Sequence, residues 1–359
     1  MIAGRAVVFV IVLLARLSAG PLEDWSRMKP MIPRGYLCLR ASGLVQIDGR
    51  LNDAAWQKAA WTEEFVDIRG ATMPRPWHAT RAKMLWDDQF FYIAAQLTEP
   101  HVWGTITQRD AVIFQDNDFE VFIDPDGDAH EYYEFEMNAL NTVWDLRLVK
   151  PYKDGAPALN EWDIAGLKSG VQVDGTLNDS RDVDRHWTVE IAMPWKALGE
   201  FSTVPSPPRD GDRWRVDFSR VEWKTEIVDG RYQKVPNRPE ENWVWSPTGI
   251  VDMHRPEKWG LVQFSSATRG ERRVRPGPVE VARDRLQEIY YRQRAFRETN
   301  NRFAKERPEI GITDRWCPGC TVAATPTGYE ATAPVRTRSR TKPMTAHIRQ
   351  DARFWLTPN

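Results

Sequence analysis

"FQDNDFEVFIDPDGDAHEYYEFEMNALNTVWD", residues 114–145, crowds Asp and Glu among aromatic residues and still alternates. How it pairs decides the fold. If Phe119, Val121 and Ile123 face the core from one strand, Tyr133, Phe135 and Met137 do so from the next. The other face then carries Glu120 and Phe122 beside Glu134, Glu136 and Asn138, and the pattern predicts that it is wet. "DPDGDAHE" becomes the hairpin connection, with Pro125 and Gly127 supplying the turn. An EF-hand is excluded. Counted from Asp124, the position that needs Gly holds Ala129, and the closing Glu position holds Phe135. Two readings stay open for the loop: a looser calcium site on Asp124, Asp126 and Asp128, or a plain solvated turn.

Outward from this stretch the same period recurs. "TRAKMLWDDQFFYIAAQLTE" reads as two strands around Asp87 and Asp88, with Ala82, Met84 and Trp86 on one face. Trp187, Val189 and Ile191 alternate in "HWTVEIAMPW", and Trp214, Val216 and Phe218 in "DRWRVDFSRVEW". Short period-two runs between Gly, Pro, Asp and Asn predict an all-β fold, an antiparallel β-sandwich or jelly roll over residues 21–264. "DGRLNDAAWQKA" (48–59) is the exception, a short helical turn with Trp56 tucked inward. Residues 265–280 have the Arg, Gly, Pro and Ser of a linker. Beyond it, residues 281–359 predict a small C-terminal extension of one amphipathic helix plus a hairpin.

The 359 residues carry a formal net charge of −1, which gives no reason to expect a nucleic-acid partner. The distribution is uneven, since residues 269–359 hold 19 Lys and Arg against 10 Asp and Glu. At the other end, Arg5, an apolar run from Ala6 to Ala15 and the small residues Ser18, Ala19 and Gly20 have the layout of a secretory signal peptide, residues 1–20. The run is short for a membrane span, and no later segment reaches that length. These features predict a secreted or periplasmic location. There, Cys317 and Cys320 of "CPGC" are expected to close a local disulfide, and Cys38 to be a buried small residue.

For chemistry, Glu120 with Glu136 is a candidate glycosidase acid pair. No Gly-x-Ser-x-Gly elbow and no Gly-rich phosphate loop occurs, and the six histidines are scattered. A sheet face of carboxylates, amides and aromatics is also what a sugar needs: rings for its C–H face and paired groups for its hydroxyls. Seventeen tryptophans make such platforms available.

"VQIDGRLNDAAW", "KMLWDDQFFYIAAQL", "FQDNDFEVFIDPDGD", "WTVEIAMPWKAL", "FSRVEW", "NWVWSPTG" and "RPEKWGLVQF" together resemble the family 9 carbohydrate-binding module, in order from about residue 44 to 264. The resemblance implies a β-sandwich of the kind shared with DOMON-like domains, a carbohydrate or polysaccharide ligand, and calcium as a structural ion. It places the two positions of a sugar clamp on Phe114 and on Met253, beside His254. A glutamate ligand falls on Glu120, an amide on Asn138 and a glutamine position near Asp217. The family's arginine position holds Glu136, a reversal of charge. Trp245 and Arg220 are candidates to replace the missing contacts. The expected function is therefore non-catalytic glycan binding by a secreted protein. The rivals are a glycoside hydrolase, a DOMON-like haem domain and a surface scaffold with a basic tail. Haem is disfavoured because Met253 and His254 are neighbours that a strand would point apart.

Overall fold

The computed structural model describes residues 20–270, 273–336 and 343–359, so the predicted signal peptide lies outside the described residues except for Gly20. A short helix α1 (Pro21–Met28) precedes strands β1 (Gly35–Arg40), β2 (Val66–Asp67), β3 (Thr80–Trp86) and β4 (Phe90–Thr98). Strands β5 (Asp118–Asp124), β6 (Tyr132–Asn138), β7 (Val143–Leu148), β8 (Ala158–Leu159), β9 (Lys168–Asp174) and β10 (His186–Pro194) follow. A one-turn helix α2 (Trp195–Leu198) leads to β11 (Arg213–Glu222), β12 (Thr225–Val228), β13 (Arg231–Lys234), β14 (Glu241–Val244) and β15 (Gly260–Ser265).

The order β8-β7-β6-β5-β11-β15-β1-β3-β4-β10-β9 forms one curled sheet, with β14 and β2 branching from β11. It closes over a single core. Phe119, Val121, Ile123, Tyr133, Phe135 and Met137 meet Trp187, Val189, Ile191, Trp214, Val216 and Phe218 there, as the period-two alternation requires. The sandwich is mostly antiparallel, with one departure from expectation. β1 runs parallel to both β15 and β3. Gly260 fits only as glycine, since a Cβ there would lie 2.3 Å from the Trp245 ring.

The "IDGRLNDAAW" motif has a definite structural task. Glu190 of β10 is fully buried and accepts from Asp48 N at 3.0 Å, Gly49 N at 2.9 Å and Trp56 Nε1 at 2.7 Å. Gly49 has φ +84, and its missing Cβ leaves room for Val171 of β9. Burial pushes the Glu190 carboxyl up to about 7 against these three donors. Glu190→Leu is expected to lower the unfolding free energy by about 2 kcal/mol, since the orphaned donors stay half to fully buried. An unchanged urea midpoint would contradict that assignment.

Beyond the linker, α3 (Pro278–Asn300) starts three residues earlier than expected with Gly277 as its cap, because Glu280 folds back to accept from the Gly277 amide at 2.7 Å. Strands β16 (Thr321–Ala324), β17 (Tyr329–Val335), β18 (Met344–Arg349) and β19 (Phe354–Pro358) form a four-stranded antiparallel sheet against it, larger than the single hairpin expected. Cys317 and Cys320 are bonded, and Cys38 is free and buried. The core of this extension also takes in α1, through Trp25 and Met28. Residues 21–28, expected to belong to the sandwich, pack on the C-terminal helix as well as on residues 250–258 of the sandwich. Among the described residues no helix is long and apolar enough to cross a membrane.

Candidate functional site

The outer face of β5 and β6 presents Asp118, Glu120, Glu134 and Glu136 side by side, with Glu120 directly opposite Glu136. This face was expected to be wet. It is roofed instead: Glu120 is 5% exposed and Glu136 2%. The cover is a second apolar cluster in which Ile106, Val112, Ile113 and Phe114 from one loop and Met253 from another pack over Phe122, Tyr132 and Trp144. Strand alternation reports which residues share a face. It does not report what later segments lay on that face.

Few donors serve these carboxylates. Phe114 N donates to Glu136 Oε2 at 3.0 Å and Val221 N to Asp118 Oδ1 at 3.0 Å, while Asp118 Oδ2 is buried without a partner among the described residues. Glu134 has His254 Nε2 at 4.0 Å. Burial pushes Glu120 up to about 7. It drives Asp118, Glu134 and Glu136 well above the usual carboxylate range, and their mutual repulsion adds to the effect. His254 is held neutral: burial lowers it to about 4, and its Nδ1 lies 2.9 Å from Tyr132 Oη. Tyr152 meets the His254 ring edge-on at 4.5 Å and is 41% exposed, so it forms part of the rim. Asp118, Tyr132 and Tyr152 were not singled out from sequence, and Glu134 was placed on this face without a role. The acidic members do follow from the parity of Glu120 and Glu136 on the same strands.

The structure thus brings Phe114, Met253, Glu120 and Glu136 together. Phe114 is half-buried at the edge of the cover, whereas Met253 is 7% exposed. Asn138 adjoins them but is fully engaged, donating to Ile106 O and Asp116 Oδ2 and accepting from Leu140 N and Thr142 N. Asp217 is buried, with Oδ1 accepting from Phe218 N and Ser246 N. Trp245 and Arg220, expected to supply substitute sugar contacts, point inward. Trp245 lies in the main core, and Arg220 is sealed between Glu99 and Glu222. Parity explains both: Arg220 continues the inward series of Trp214, Val216 and Phe218.

Two acidic groups bring carboxylate oxygens close enough to share a cation. At the hairpin, every oxygen of the acidic loop already accepts a protein donor. Asp124 takes Gly127 N and Ala129 N, Asp126 takes Asp128 N and Thr203, and Asp128 takes His130 N and Arg353 Nε. "DPDGD" is thus a self-bonded turn tied to distant segments, each of its carboxylate oxygens keeping a second lone pair. Asp124, Asp126 and Asp128 each present an oxygen within 4.8 Å of the others, and so do Asp118, Glu120 and Glu136.

A family model described as carbohydrate family 9 binding domain-like matches residues 47–233, more than half of the chain. The exoglucanase XynX of Acetivibrio thermocellus is 25% identical over 159 residues, 44% of this chain but 12% of that enzyme, so the chain spans a small part of that relative. Among solved structures, a Bacteroides uniformis protein assigned to carbohydrate binding is covered completely, at 15% identity over 65% of this chain with a TM-score of 0.49. A family 9 module of Caldicellulosiruptor kristjanssonii, solved with cellotriose, is covered to 98% at 17% identity over 67% of this chain, with a TM-score of 0.41. The family match runs through β3, β4, β5, β6 and β10, the strands that carry the Glu190-bound motif and the acidic face, and the chain belongs to the carbohydrate family 9 binding domain-like family.

Proposed function

We propose that the protein binds carbohydrate without cleaving it, at the edge of the β5–β6 face where Phe114, Tyr152 and Met253 surround Glu120 and Glu136, and that it works outside the cytoplasm. The observation that carries this reading is the family match across those two strands. The chemistry agrees with it. At the rim, half-buried Phe114 and exposed Tyr152 offer rings for the C–H face of a sugar, and the carboxyl groups of Glu120 and Glu136 lie beneath the cover beside them. The apolar run near the start of the chain and the bonded Cys317–Cys320 pair support export. A resident calcium ion would be held by Asp118, Glu120 and Glu136, where it would neutralise charge that these buried groups otherwise hold as protons.

Titration calorimetry of the full chain against glucose, cellotriose and xylo-oligosaccharides, with calcium and with chelator, tests the reading. Phe114→Ala is expected to weaken the ligand that binds by at least tenfold, with Glu120→Gln weakening it comparably. An absence of heat with every glycan in both conditions would overturn the proposal.

A further inference from the structure

The C-terminal extension does not close flush against the sandwich. Between them lies a cleft of about 750 Å³, the size of a site for a small organic ligand. Its walls come from the 126–128 turn, the start of β11, the first turns of α3 and the β18–β19 corner. Five guanidinium groups line it, those of Arg213, Arg215, Arg283, Arg349 and Arg353, against the carboxylates of Asp126, Asp128 and Glu280.

Four of these arginines are accounted for. Arg353 donates to Asp128 at 2.9 Å, and Arg349 donates to Asp351 at 2.7 Å. Arg213 donates to Gln263 Oε1 at 3.1 Å and 3.0 Å, and Arg215 to the carbonyls of Glu257 and Trp259. Arg283 is different. It is 6% exposed, its guanidinium lies 3.7 Å from the centre of the Phe354 ring, and its buried Nε has no acceptor among the described residues. Asp124, the carboxylate behind it, is occupied by the amides of Gly127 and Ala129. Burial first, and then the charge of Arg215, lower the Arg283 guanidinium to about 9. The carboxylates of Asp124, Glu280 and Glu257 favour its charge, but a buried guanidinium with an N–H left unbonded is costly, and a fold that keeps one at a cleft wall leaves an anionic acceptor to be supplied from outside.

We infer that this cleft is a second binding site, separate from the family's carbohydrate face, for a small oxyanion-bearing molecule whose carboxylate or phosphate group pairs with Arg283. Its apolar walls, including Val279 and Leu356, suit the carbon frame of such a molecule, and the planar guanidinium forks suit its paired oxygens.

The test is a thermal-shift and calorimetric titration of the full chain with galacturonate, digalacturonate, inorganic phosphate and sulfate, at constant ionic strength against chloride. At least one anion is expected to raise the melting temperature above the chloride control and to bind with a sub-millimolar Kd. Tighter binding of a uronate identifies an acidic sugar as the ligand class, and tighter phosphate binding identifies a phosphate ester. Arg283→Met should bind that anion at least tenfold more weakly, while its ligand-free melting temperature equals or exceeds that of the wild type. A merely structural arginine would lower that temperature and leave the anion unaffected. If Arg283→Met does not fold, Arg353→Gln at the rim is expected to weaken the same anion at least threefold. No anion effect beyond chloride in the wild type, or unchanged anion affinity in the variants, would sink the inference. Neither result touches glycan binding at Phe114 and Glu120, which is read separately.

Discussion

Arg220→Ala is expected to destabilise the sandwich by about 3–5 kcal/mol, the range found when one partner of a buried ion group is removed. Arg220 is fully buried. Its Nη2 lies 2.7 Å from Glu99 Oε2 and 2.7 Å from Glu222 Oε2. Its Nη1 donates to Thr80 Oγ1 at 3.1 Å and Thr98 O at 2.9 Å. Alanine would leave two carboxylates, each 3% exposed, facing one another without a cation. Burial already raises Glu222 well above its usual range, and Arg220 is the neighbour that opposes this. Equilibrium urea unfolding measures the loss. The triple change Arg220→Met, Glu99→Gln and Glu222→Gln should recover part of it, because no bare charge then remains. A single alanine variant within about 1 kcal/mol of wild type would show that water reaches the triad.

Trp25→Ala is expected to cost about 3–5 kcal/mol as well, although it lies in an eight-residue helix at the start of the described chain. Trp25 is 4% exposed and stacks on Tyr291 with ring centroids 5.1 Å apart. Its Nε1 donates to Glu288 at 3.3 Å, and Lys258 Nζ sits 4.9 Å from the ring centre. The ring therefore joins α1 and α3 to the segment before β15. The variant should lower the urea midpoint and raise protease sensitivity within residues 278–359 before the sandwich is cut. Loss confined to the first few residues, with the extension still protected, would contradict this role.

How much of this was legible in the sequence follows from which interactions are periodic. The inward sets on β5, β6, β10 and β11 were readable because a pleated strand fixes parity, and parity needs no knowledge of partners. The same rule carried one residue further would have placed Arg220 inside. A charged side chain at an inward position reads as an outward one until its partners, here Glu99 and Glu222, are known. The roof over Glu120 and Glu136 was not legible. Ile113 and Met253 come from loops far apart in the chain, and a Glu-rich strand face usually meets water. The partners of the acidic hairpin were not legible for a similar reason, since Thr203 and Arg353, which bond Asp126 and Asp128, arrive from elsewhere. Trp25 and Met28 share a helix face at a spacing of three, but eight residues carry too little pattern to say which core they join.

The parallel seating of β1 has a consequence for biogenesis. Gly35 to Leu39 find their partners at Leu261 to Ser265, while β3 covers only Leu39 and Arg40. A nascent chain therefore holds its first strand almost unpaired until the ribosome has passed residue 265, and any shorter fragment carries a bare backbone edge open to self-association.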